Sequence, residues 1–369
     1  MIACSFGKRE VRFPLPFYMQ RFKRKGGYPL RSDPGNMAPR LFINLKAITD
    51  NSRKTIDFCH GFGVDVVGVT KGVSGLPAVA KAMVEGGIRK LGDSRLKNIA
   101  CMREAGMDQP MVLIRSPALS EVEETVRLCD ASLNVDVGVL RALSEEAVRA
   151  GKKHEILLMV DLDTGREGIL PSDLPGACRE VLAMNGLTLR GLGTYFDMKS
   201  EDELHRPAIG RLVRIAGELE KQYRTSLPVV SGGSSNVFRS LVLESRSVPG
   251  MNQLRIGTAI LLGLSASIGP RRIQGFHHDT FLPDAELIEV KRRDRTFGIL
   301  SLGTLDVDPQ FLFPSELGIR VLRATSDHTL VDLTQSQVPW GVGDRLVFEL
   351  GYPALSRLVA SNQAHIEYR

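Results

Sequence analysis

The sequence is short of every feature that would tie it to a disulfide framework, a membrane or a dinucleotide. Its five cysteines (Cys4, Cys59, Cys101, Cys129, Cys178) are odd in number and scattered, with no CxxC pair and no metal-ligand spacing. Such usage reads as reduced thiols in a cytosolic, cytoplasmic protein. No apolar run is long enough to span a bilayer, so no membrane partner is expected. No GxGxxG opens the first strand-to-helix turn, which argues against a doubly wound nucleotide-binding sheet. His277-His278-Asp279 has the look of a metal fragment. No further ligand follows at a recognisable spacing, so a linker turn is the better reading and no metal is expected.

What remains is ordinary globular composition: 369 residues, 43% hydrophobic and 24% charged, enough for one or two domains. The net charge of +6 is confined to residues 1–36, which carry eight Lys/Arg against Glu10 and Asp33. The remaining forty basic and forty acidic residues cancel. An electrically balanced body has no general affinity for polyanions, so nucleic acid is not an expected partner. Residues 1–36 lack periodic hydrophobicity and a secretory apolar region, and are broken by Pro14, Pro16, Gly26, Gly27, Pro29, Pro34 and Gly35. They read as a basic, disordered extension, with Met37 as the preferred true start and a leader or interaction tail as the alternative.

From residue 64 to about 263, short apolar runs alternate with helical patterns. The strand candidates are 64–69, 88–91, 110–114, 131–135, 155–162, 188–194, 226–230 and 252–256. Between them, 76–85, 137–150 and 203–223 repeat apolar residues at helical spacing. Eight strands, each followed by a helix, fit a parallel (β/α)₈ barrel. Beyond about residue 270 the runs 284–291, 297–302, 318–324, 329–333 and 345–350 are separated by turn signals without helical patterning. They read as an antiparallel β-domain. The expected division is an extension over 1–37, a barrel over 38–270 and a β-domain over 271–369. The early strand 40–45 is free to join the last.

Lys71 closes the apolar run Val66–Thr70 and precedes a small-residue turn. That places an amine at the mouth of the barrel, where barrel chemistry is done. Partial desolvation would lower its pKa and make it a nucleophile or base. A solvated strand-end lysine is the plain alternative. Ser231-Gly232-Gly233-Ser234-Ser235-Asn236 follows the seventh strand candidate. Its glycines admit a close approach of backbone to ligand, and its hydroxyls and the next helix's N–H groups suit a phosphate. A flexible Gly/Ser turn is the bland reading.

With strand 40–45, the lysine strand, the barrel and the β-domain in this order, the chain resembles the alanine racemase class of pyridoxal-phosphate (PLP) enzymes. It is most similar to the ornithine racemase branch. The resemblance rests on Val66–Lys71, Ala82–Gly87, Asp93-Ser94-Arg95, Asn252–Gly257, Ala259–Gly263 and Ser326-Asp327-His328. It implies PLP as cofactor, with Lys71 holding it and acting as one of two catalytic bases on opposite faces of the substrate carbon. Arg255 then faces the pyridine nitrogen, and Gly257, Thr258, Ser234 and Ser235 face the phosphate. Tyr195 stands where alanine racemases carry histidine and would stack on the cofactor. Arg166 lies near the substrate carboxylate, and Tyr368 occupies the place of a terminal tyrosine that reaches the phosphate. Asp306 or Asp308 could pair with a substrate side-chain ammonium; exposed turn carboxylates are the alternative.

The chain departs from the family pattern in two places. Gly75 replaces the tyrosine that follows the lysine in alanine racemases. No segment between 284 and 303 matches the partner-supplied catalytic tyrosine, which leaves the second base unassigned. The implied activity is racemisation of a free amino acid by a homodimer, with ornithine or another basic amino acid favoured over alanine. The rivals are an alanine racemase, a non-catalytic PLP-binding homeostasis protein, and a D-amino-acid aldolase or dehydratase. The homeostasis relatives are barrels without a β-domain. The aldolase and dehydratase relatives need a C-terminal His/Cys pair; His365 is present, but no cysteine lies beyond Cys178.

Overall fold

The computed structural model describes residues 39–163, 166–196, 202–265 and 272–369, with the backbone alone described at 202–204 and 240. The basic extension over 1–37 lies outside the described residues. So do Thr164 and Gly165, in the segment that precedes Arg166.

Eight parallel strands close into a barrel: β2 (Asp65–Val69), β3 (Lys90–Asp93), β4 (Met111–Leu113), β5 (Ala131–Asn134), β6 (His154–Met159), β7 (Leu187–Gly193), β8 (Val229–Ser231) and β9 (Gln253–Ile256). β2 pairs with both β3 and β9, which closes the ring. Alternate residues point inward, so Val67, Val69, Val112, Ile114, Ala131, Leu133, Leu157 and Met159 fill the lumen as one cluster. Around the barrel run α1 (Leu45–His60), α2 (Pro77–Glu85), α3 (Leu96–Glu104), α4 (Val122–Leu128), α5 (Val137–Arg149), α6 (Leu174–Leu182), α7 (Asp202–Tyr223), α8 (Ser235–Glu244) and α9 (Thr258–Leu262). Local chemistry starts several of them. Asn44 caps α1 by accepting from the Ala47 amide at 3.0 Å, Asp136 caps α5 through the Val139 amide at 2.9 Å, and Pro77 opens α2.

The start of β8, the seventh barrel strand, differs slightly from the sequence expectation. The run 226–230 contains Pro228, which has no N–H to give a ladder, and β8 begins only at Val229.

The second sheet comprises β10 (Phe281–Arg292), β11 (Thr296–Leu300), β12 (Leu312–Pro314), β13 (Arg320–Ala324), β14 (Thr329–Asp332), β15 (Arg345–Leu350) and β16 (His365–Tyr368), in the order β12-β15-β10-β11-β14-β13. β1 (Arg40–Ile43) joins it, antiparallel to β10 and parallel to β16. Buried Asp284 binds this junction, pairing with Arg40 of β1 and, at 2.9 Å, with Arg345 of β15.

One element is absent from the sequence pattern of this sheet. Tyr352–Ser361 forms a helix, α10, opened by Pro353 and buried through Ala354, Leu355 and Leu358. It packs against the turn that carries Lys71 and brings the C-terminal sheet's side of the molecule to the barrel mouth.

Candidate active site

The chemistry-bearing residues gather at the C-terminal ends of the barrel strands. Lys71 begins a short 3-10 turn (Lys71–Val73) just past β2. The turn is held from several sides. The Thr70 hydroxyl donates to Asp93 at 2.7 Å, and the Thr70 amide donates to the Gly92 carbonyl at 3.0 Å. Asp93 is fully buried and also accepts from the Arg95 amide and the Asn98 side chain, each at 3.0 Å. Burial pushes the Asp93 carboxyl up, against the lowering effect of these hydrogen bonds.

The Lys71 side chain is exposed in part at the mouth, yet protein surrounds its amine closely enough for desolvation to lower its pKa. The Arg166 and Arg255 charges push the same way, while Asp93 and Glu167 oppose them. The result is an amine with more free base near neutral pH than a surface lysine has, which a nucleophile or proton acceptor requires.

Arg255 lies on β9 and is 4% exposed. It donates to the Ser231 hydroxyl and, at 2.7 Å, to the Thr194 carbonyl; the Ser231 carbonyl is 3.5 Å away. Its described partners are all neutral. A buried guanidinium held by three neutral acceptors keeps its charge and retains N–H donors for an acceptor placed in the mouth. A pyridine nitrogen is such an acceptor.

Tyr195 follows β7. Its hydroxyl donates to the Ile114 carbonyl at 2.5 Å, and burial pushes its pKa up, so it stays protonated. The guanidinium carbons of Arg166 and Arg255 stand 4.9 and 5.1 Å from its ring centre. A single ring thus carries two cations. Arg166 also pairs with Glu167 at 3.3 Å.

On the far side of the mouth, Ser231 ends β8 and Ser235 begins α8. Gly233 has φ 134, and a Cβ there would stand 2.7 Å from Val237 and 3.2 Å from Phe196. The loop is therefore drawn tight against its neighbours in a way only glycine permits. Ser234 is exposed at the α8 N-terminus and its side chain makes no capping bond, while Ser235 accepts from the Ala259 amide at 3.2 Å. Gly257 and Thr258 open α9 beside Val69 of the lysine strand. A hydroxyl-lined cradle beside a helix N-terminus, facing a lysine and a buried arginine, fits a phosphorylated aldehyde such as PLP.

Two sequence candidates stand elsewhere. Tyr368 is on β16 opposite Ile43, 46% exposed, on the second sheet rather than in this ring. Asp306 turns into its own loop, accepting from the Gly303 amide at 2.9 Å. That loop is tied to the Thr325–His328 turn by bonds from the Thr304 amide to the Thr325 carbonyl (2.8 Å) and from the Leu305 amide to the Ser326 carbonyl (3.0 Å). His277 and His278 are tied to α1 and α9: the His277 amide donates to Asn51 at 2.8 Å, and His278 lies 3.2 Å from the Leu262 carbonyl.

The structure adds a tyrosine that sequence reasoning missed. Tyr352, the first residue of α10, lies against Gly72, where its ring would come within 2.6 Å of an added Cβ. Burial pushes its hydroxyl up to about 12. Gly351 and Pro353 flank it as helix-start signals and mark the element, though not its contact with Gly72.

Residues 43–265 match the family model described as alanine racemase, N-terminal domain. The chain is 33% identical to the lysine racemase of Thermotoga maritima, over 88% of this chain and 96% of that one. It is 28% identical to the ornithine racemase of Acetoanaerobium sticklandii, over 86% and 96% respectively. The fold matches that of the alanine racemase from E. faecalis with a TM-score of 0.70 at 19% identity, covering 91% of this chain and 99% of that one.

Proposed function

This chain belongs to the alanine racemase family, and from that premise we propose that it is a PLP-dependent racemase of a free basic α-amino acid, lysine or ornithine. The observation that carries the reading is a desolvated Lys71 set between a buried, neutrally partnered Arg255 and a Gly/Ser phosphate cradle. Near-full-length similarity to a lysine and an ornithine racemase supports the substrate class.

When bound, PLP supplies the electron sink that makes the substrate α-proton acidic. The residues of the chain then divide the remaining work. Lys71 holds the cofactor and moves a proton at the substrate α-carbon from one face. Arg255 would donate toward the cofactor's ring nitrogen, which would keep that nitrogen unprotonated and restrain side reactions. Ser234, Ser235 and the amides of Gly257 and Thr258 bind the phosphate. Tyr195 would stack on the cofactor, and burial keeps its own proton in place. Arg166 binds the substrate carboxylate, while Asp306 stays turned into its own loop by the Gly303 amide. Tyr352, in place of Tyr368, is the tyrosine assigned to the cofactor side, because it reaches the lysine turn.

The second base belongs to the opposite face, and a homodimer in which the partner's second sheet covers the mouth would supply it. The division into an extension, a barrel over 38–270 and a β-domain over 271–369 is part of this proposal. So is cytoplasmic placement, supported by the scattered thiols. Among the described residues no helix is long and apolar enough to cross a membrane.

The test is α-hydrogen exchange in D₂O by the PLP-loaded protein across an amino-acid panel, beside Lys71→Ala. Exchange on lysine or ornithine, with loss of both exchange and the visible cofactor band in the variant, is the expected result. Exchange confined to alanine would replace the substrate class. A band without exchange on any amino acid would make the protein a cofactor carrier.

A further inference from the structure

Two carboxylates act on Lys71, Asp93 and Glu167, and they differ in what they can still bind. Asp93 is 0% exposed and its oxygens are taken by Thr70, Asn98 and the Arg95 amide. No ligand atom can reach it without breaking the lysine turn. Glu167 is 41% exposed on its side chain and, among the described residues, contacts the Nε of Arg166 at 3.3 Å. That contact is long for a charge-assisted bond and leaves most of its acceptor capacity open.

The charge around these carboxylates is one-sided. Lys71, Arg166 and Arg255 converge on the mouth, with both guanidiniums resting on the Tyr195 ring. A diamino acid brings one carboxylate and two amino groups to such a place. Its carboxylate suits Arg166, and its α-amino group would be directed to the cofactor side, at Lys71. Its terminal ammonium would meet only like charge unless an anion stood ready. Asp306 is turned into its own loop by the Gly303 amide, so it is not poised for this task.

We infer that Glu167 is the specificity-determining residue for basic substrates: its carboxylate receives the side-chain ammonium while the neighbouring Arg166 holds the substrate carboxylate. The inference rests on the racemase reading above. Glu167 leaves Arg166 as the substrate carboxylate arrives, so the two ion pairs exchange partners and charge at the mouth stays balanced. A neutral side chain of the same length cannot make the second pair and leaves Glu167 on Arg166, in competition with its own carboxylate.

The experiment compares lysine with norleucine, which lacks only the terminal amine, on the PLP-loaded full chain. The lysine-to-norleucine ratio of kcat/KM is measured for the wild type, Glu167→Gln and Glu167→Asp. The ratio of equilibrium affinities is read independently from the change in the visible spectrum on titration with each amino acid. Glu167→Gln should lower both ratios by about 10- to 100-fold, the range for losing one charge-assisted pair, and Glu167→Asp should restore part of the loss. If Glu167→Gln depresses turnover of both substrates, the affinity ratio decides. A wild type that prefers lysine, with that preference intact in Glu167→Gln, overturns the inference and leaves the racemase reading standing. A wild type with no preference for lysine overturns the inference together with the substrate class.

Discussion

The Thr70 hydroxyl donates to Asp93 at 2.7 Å, which fastens the residue before Lys71 to the neighbouring barrel strand. The lysine is thus not placed by its own strand alone. Its turn is held by a buried carboxylate whose other bonds go to the Arg95 amide and Asn98. Asp93→Ala should cost about 1–3 kcal/mol, because Thr70 and Asn98 lose their buried acceptor. Asp93→Asn should fall between, since one of its two oxygens becomes a donor. Chemical denaturation midpoints would measure this, and a wild-type midpoint in Asp93→Ala would contradict it.

Lys71 should react as an unusually available amine. Desolvation and the Arg166 and Arg255 charges lower its pKa, so a larger share is free base near neutral pH. In protein without PLP, an amine-acylating reagent should label Lys71 ahead of exposed lysines such as Lys46 and Lys81. The advantage should shrink as pH rises toward the ordinary lysine range. Peptide mapping by mass spectrometry reports the order of labelling.

Gly75 takes φ +68, and a Cβ there would stand 2.8 Å from both the Asn98 carbonyl oxygen and its Cβ. No side chain fits, so the tyrosine that alanine racemases place here has no room in this turn. Gly75→Ala should lower stability by about 1–3 kcal/mol through backbone strain, and Gly75→Tyr should do at least as much. Thermal melts would show the loss, and an unaffected Gly75→Tyr would mean the turn has another conformation.

His154 carries a pH signature of the fold rather than of the site. Desolvation lowers its pKa to about 4, with the ring 2.8 Å from the Ser132 hydroxyl. Because the folded state binds the proton more weakly than the unfolded chain, its contribution is complete above about 6.5. It is lost progressively as pH falls toward 4, in total about 3 kcal/mol. Stability against pH should therefore slope downward on the acid side from 6.5, and His154→Gln should flatten that limb even if it lowers the plateau. Denaturant titrations at several pH values would resolve the two slopes.

The barrel was readable because its strands are buried on both faces and appear as apolar runs, while the helices between them repeat at 3.6 residues. Lys71 was readable for the same reason: a charge at the end of a run such as Val66–Thr70 needs a purpose. Arg255 could be placed near the mouth by its strand, but its neutral partners Ser231 and Thr194 come from two other strands and leave no local trace. Tyr352 was hidden because Gly351-Tyr352-Pro353 looks like a turn until Pro353 is seen to start a helix. Its contact with Gly72 spans most of the chain. Glu167 was passed over because an arginine and a glutamate side by side look like any solvated loop.

The strand β1, which leads directly into α1, lies between β10 and β16, so its partners are made only after the whole barrel, β16 last of the strands. During synthesis the barrel strands can meet one another while β1 still waits, and α1 hangs from an unpaired strand. Tyr352 reaches the lysine turn from the same late region. The lysine and the Gly92, Asp93 and Asn98 contacts that hold its turn are translated early, yet the partners of β1 and the Tyr352 contact with that turn come late. Long-range closure of this kind is slow. A chain that has built only its barrel therefore has its lysine turn held by Asp93 but lacks the helix that packs against that turn.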